Sequence, residues 1–86
     1  MEATLVDEIR ARYLQVREQI DTAARAVGRD PASVRLLTVT KTHPLEMVQA
    51  AIAAGACDLG ENYAEEAVGK IQAIGPRAGL RWHMIG

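Results

Sequence analysis

Cysteine is nearly missing from this chain. Cys57 is the only one, which excludes an internal disulfide and argues against a thiolate-built four-ligand zinc site; no metal site is expected. Its neighbours Ala56 and Leu59 mark it as a small buried residue rather than a nucleophile. An excess of charge is missing too. Ten Lys and Arg face eleven Asp and Glu for a net charge of −1, so there is no electrostatic footprint for nucleic acid or for an anionic membrane. No apolar run approaches the roughly 20 residues that span a bilayer. The opening "MEATLVDEIRARYLQVREQ" carries acidic residues early and lacks an apolar centre, so it does not read as a secretory signal. The expectation is a protein of the reducing cytoplasm.

What is present reads as one small α/β domain over residues 1–86. A domain of this length buries only about 60–65% of the surface its unfolded chain exposes, which makes its stability marginal. Residues 1–28 have the pattern of an amphipathic helix. Leu5, Ile9, Tyr13, Val16, Ile20, Ala24 and Val27 follow steps of three and four, and Gly28 is placed to cap the end. "GRDPAS" supplies turn chemistry. The mixed charges on the polar face favour docking onto the same domain over a membrane surface.

Residues 34–86 alternate strand and helix. "VRLLTVT" is β-branched and aliphatic, with Leu37, Val39 and Lys41 on one face and Leu36, Thr38 and Thr40 on the other. Apolar residues on both faces point to a buried parallel strand. Pro44 stands as the first residue of a helix that Gly55 ends, with Leu45, Val48, Ala51 and Ile52 as its apolar stripe. "CDLGEN" is a weaker strand. Asn62, with Glu65 three residues on, has the spacing of a capping box for a helix closed by Gly75 and Pro76. "LRWHMIG" is a third strand. Strands joined through helices by short loops imply a parallel sheet. Lys41, Asn62 and His83 recur at intervals of 21 residues, which would set all three on the strand-end edge where α/β proteins place their chemistry.

A lysine at that edge has two readings. It is a solvated side chain, its apolar stem along the strand, or a desolvated amine able to capture an aldehyde. Thr40, Thr42 and the free N–H groups of the following helix would hydrogen-bond an oxygen-rich ligand. Asn62 serves equally as a helix cap, and His83 as a hydrogen-bonded structural histidine.

"LLTVTKTHP", "GACDLGENYAEEAVGKI" and "LRWHMIG" resemble, in order and spacing, the opening of the YggS-type pyridoxal phosphate homeostasis proteins. The resemblance covers nearly the whole chain. It implies the N-terminal portion of a (β/α)8 TIM barrel of fold type III, like the N-terminal domain of alanine racemase, with a helix followed by about three parallel strands. It also implies pyridoxal 5′-phosphate held as a Schiff base on Lys41, with Asn62, His83 and Ile85 lining or adjoining the cofactor, in a vitamin B6 carrier that turns nothing over. Members of that family are much longer, and their Ser/Gly phosphate loops have no counterpart here. The expectation is therefore a truncated piece whose open sheet edges favour self-association. The alternatives are an amino-acid racemase-like enzyme, for which Tyr63 is a poor second base, and an inert fragment without cofactor.

Overall fold

A computed structural model describes residues 4–41 and 43–86. Helix α1 (Leu5–Ala26) begins at Thr4, whose hydroxyl accepts from the Asp7 amide while the Asp7 carboxylate accepts from the Thr4 amide. This closed pair satisfies donors that a helix start leaves unpaired. At the other end Gly28 adopts φ 72°, and the amides of Gly28 and Arg29 donate back to the carbonyls of Arg25 and Ala24. That is the Schellman arrangement, which needs a left-handed residue best supplied by glycine. A short 3₁₀ turn (Pro31–Ser33) leads to strand β1 (Leu37–Val39). Arg17 of α1 ties this connection down, donating to the carbonyls of Pro31 and Val34 at 2.8 and 3.1 Å and to Asp21.

Helix α2 (Leu45–Ala54), strand β2 (Asp58–Glu61), helix α3 (Ala64–Ile74) and strand β3 (Arg81–Met84) complete the alternation. Gly55 ends α2 with φ 119°. Pro44 is the residue before α2 rather than its first, with ψ 157°. The three strands are parallel in the order β1-β2-β3. No helix of the described residues is long and apolar enough to cross a membrane.

The two faces of this sheet differ. On one, Leu59 and Trp82 meet Val48 and Ala51 of α2, with Ile9 and Tyr13 of α1 and Ile74 of α3 against the same cluster. Leu59 and Val48 are fully buried, and each such side chain contributes about 1.5–3 kcal/mol through burial. The other face holds Leu37, Val39, Gly60 and Ile85, and no helix of the described residues covers it. Val39 stays 46% exposed and Leu37 and Ile85 are also exposed. This corrects the expectation of a strand buried on both sides: α1 and α2 cover only the Thr38 side of β1. Gly60 sits close beneath its neighbours on the bare face, since a β-carbon there would lie 3.3 Å from Ile85 Cγ2.

Three further expectations are corrected. In the expected apolar stripe of α1 Ala24 is buried and Ile9, Tyr13 and Ile20 are half-buried, but Leu5 and Val16 are exposed and Val27 lies exposed beyond the last turn. Cys57 is exposed in the loop between Gly55 and β2; its Sγ lies 3.4 Å from the Gly55 carbonyl, which also accepts the Tyr13 hydroxyl of α1. Asn62 does not cap α3. The cap position belongs to Tyr63, which makes no side-chain cap bond.

Candidate functional site

The strand register decides which residues meet at the carboxyl edge. Val39, Gly60 and His83 form one row across the sheet. Counted two residues further along each chain segment, the next row is Lys41, Asn62 and Ile85, just past the strand ends. The ladder bonds reach Thr40, whose N–H donates to the Gly60 carbonyl at 2.8 Å, and Ile85, whose N–H donates to the Glu61 carbonyl at 2.9 Å; Lys41 follows in the turn beyond. Of the four residues singled out, Lys41, Asn62 and Ile85 therefore share one row. His83 lies one row nearer the strand starts. The interval from β1 to β2 is 21 residues but that from β2 to β3 is 23, so an even spacing of 21 slips His83 out of line with the other two.

Lys41 is exposed and lies in the turn after β1. His43 N–H donates to the Thr40 carbonyl at 3.1 Å, so a turn bond spans the lysine. Asn62 is half-buried, with its Oδ1 beside Gly86. Tyr63 is exposed on the rim. Thr42, expected as a hydrogen-bonding neighbour, lies outside the described residues.

His83 is engaged elsewhere. Its Nε2 lies 2.9 Å from Asp58 Oδ1 at the start of β2. A carboxylate accepts, so this contact assigns the ring proton to Nε2. Arg81 donates to both oxygens of Asp58, at 2.8 and 3.1 Å, and Arg35 approaches to 3.8 Å. The Arg81 guanidinium, then the His83 ring, hold the Asp58 carboxyl well below the usual carboxylate range. This cluster sits on the bare face at the end of the sheet away from Lys41.

Sequence reasoning missed a second polar cluster. On the helix-covered face, directly behind the Lys41 row, Lys70 Nζ lies 2.7 Å from the Thr40 carbonyl oxygen, 2.8 Å from Glu61 Oε1 and 3.0 Å from Glu66 Oε1. The Thr40 hydroxyl bonds Glu61 Oε2 and the Gly60 carbonyl. Glu61 is 1% exposed and the Lys70 side chain 8%. Burial alone would push the Lys70 ammonium down, but hydrogen bonds to Glu61 and Glu66 outweigh it and raise it above the ordinary lysine value. The one sequence signal was the Glu66–Lys70 spacing of four on α3.

No family model matches the chain. Curated relatives do. The pyridoxal phosphate homeostasis protein of Pseudomonas aeruginosa is 48% identical over 84 residues, covering 98% of this chain and 34% of the relative. The protein of the same name from Escherichia coli K12 is 43% identical over 84 residues, covering 94% and 36%. The chain is homologous to the YggS-type pyridoxal phosphate homeostasis proteins. It spans about a third of the length of those relatives. Among solved structures, a protein of unknown function from Bifidobacterium adolescentis superposes with a TM-score of 0.81 at 31% identity, covering 100% of this chain and 39% of that one. PipY of Synechococcus elongatus PCC7942, in a structure without PLP, superposes with a TM-score of 0.60 at 34% identity, covering 78% of this chain and 31% of its own.

Proposed function

We propose that this chain is the pyridoxal 5′-phosphate-holding segment of a vitamin B6 homeostasis protein, with Lys41 as the amine that takes the cofactor. One observation carries the reading. The sequence contains two lysines, Lys41 and Lys70. Lys70 is buried against three oxygen acceptors, so Lys41, exposed in the turn after β1, is the side-chain amine left open to a ligand. Lys41 would hold the aldehyde end of pyridoxal 5′-phosphate, and the cofactor would supply there an electrophilic carbon for the lysine amine.

The residues fit the aldehyde end of that cofactor. Lys41 presents the amine, Asn62 an amide that donates and accepts, and Ile85 an apolar contact for a ring. They provide no Ser/Gly-rich cradle for the phosphate. His83, held by Asp58 one row away, belongs to the floor of such a site. In this reading the three strands form the early part of a (β/α)8 barrel of the alanine racemase N-terminal type. The bare face is the barrel interior, and the carboxyl strand ends are the ligand edge. A lone exposed thiol at Cys57 suits a reducing cytoplasm.

Titrating the chain with pyridoxal 5′-phosphate to about millimolar should raise an absorbance band near 420 nm, characteristic of the lysine-bound cofactor. The band should survive Lys70→Arg and disappear in Lys41→Ala. A band that persists in folded Lys41→Ala, or the absence of any band, would overturn the assignment for this chain.

A further inference from the structure

One buried cation grips the two residues that immediately precede the candidate site positions. Thr40 comes before Lys41 and Glu61 before Asn62, and Lys70 Nζ reaches both, at 2.7 and 2.8 Å. Thr40 and Glu61 are also bonded to each other through the threonine hydroxyl. Pinning the Thr40 carbonyl and the Glu61 carboxylate therefore fixes the points from which Lys41 and Asn62 leave the sheet. The same Thr40 carbonyl accepts the His43 amide in the turn that spans Lys41. The ammonium thus anchors both the strand end and the start of the turn. A pair this buried is a poor device for raw stability, because desolvation offsets most of the attraction.

We infer that Lys70 is a positioning residue for the amine site: from behind the sheet, its contacts with Thr40 and Glu61 hold Lys41 and Asn62 in register at the ligand edge. The inference rests on the Lys41 reading above, but its test has a readout that needs no cofactor. Amide hydrogen exchange of the chain alone reports the grip. Reductive trapping of added pyridoxal 5′-phosphate, mapped to the Lys41 peptide, reports its consequence.

Losing a hydrogen bond to a charged group corresponds to about a tenfold change in an equilibrium. In Lys70→Ala, the amides of Lys41, His43 and Asn62 should exchange faster by about tenfold or more, and by a larger factor than those in the middle of α1, which report only the global loss. Labelling of Lys41 should fall by a similar factor, and Lys70→Arg should restore most of both. Glu61→Gln preserves shape and the Lys70–Thr40 bond, so it serves if Lys70→Ala does not fold. It should speed exchange at Asn62 more than at Lys41. Unchanged exchange and labelling in a folded variant would overturn the inference, and so would acceleration spread evenly through α1. If Lys41 of the unaltered chain takes no label, the cofactor reading fails, and the exchange pattern alone decides whether Lys70 holds the rim.

Discussion

The two ends of β2 solve the same problem differently. Asp58 opens the strand and Glu61 closes it, both nearly buried carboxylates in a four-residue stretch. Asp58 points to the bare face, where its partners Arg81 and Arg35 are mostly in water. Glu61 points to the helices, where its partner Lys70 is buried with it. The first cluster shares its charge with solvent and salt. The second is sealed, and every member depends on the others. An ion pair's importance here follows from which side of the sheet it lies on rather than from its distance, since the closest contacts are 2.8 Å in both.

The largest effect should come from cutting the sealed pair. Lys70→Met leaves Glu61 charged, buried and unpaired, at an expected cost of about 3–5 kcal/mol. Adding Glu61→Leu should recover much of it, because the double variant strands no charge. Urea melts of the single and double variants measure both. If the two single losses simply add, Lys70 and Glu61 are not a unit and the contrast between the clusters fails.

Acid should act next, and on the open cluster. Asp58 ionises lower in the folded chain than the ordinary value near 3.9. Its contribution is therefore complete above about pH 4 and drains away as pH falls towards the folded value. Asp58→Asn should flatten that acid limb in melts taken from pH 7 downward. Lys70 works in the opposite sense: its raised value gives a contribution present below about pH 10 that fades as the ammonium is lost in stronger base.

Arg81→Ala should cost far less than Lys70→Met, because a half-exposed guanidinium is already well solvated. Its effect should shrink further at about 1 M salt, where screening acts over roughly 3 Å, while the Lys70 loss persists. The smallest change is expected from Gly60→Ala. The new methyl meets the exposed Ile85 side chain, which can turn aside, for a cost of about 1 kcal/mol at most.

Much of the fold was legible in the sequence because helix boundaries there are written in local chemistry. Gly28, Gly55 and Gly75 end the three helices, and periodicity distinguished helices from strands. Local chemistry did not reveal what covers a strand. "VRLLTVT" has apolar residues on both sides, yet only one side meets helices of the described residues. Asn62 carried the right residue type and spacing for a cap, but the β2 ladder runs on to Glu61 and the helix starts one residue later than a cap at Asn62 requires. The site row depended on register. Lys41 and Asn62 line up from spacing alone, but the longer α3–β3 connection moves Ile85 into the place that even spacing gives to His83. The Lys70 grip joins residues 30 apart through three dimensions, and no pattern along the chain could announce it.

The scarcity of lysine has a practical consequence. With one of two ε-amines locked among oxygens, a mild amine-directed dye or crosslinker should find Lys41 as its principal side-chain target. The candidate pocket can then be tagged, tethered to a surface or fitted with a spectroscopic reporter without redesigning the rest of the molecule.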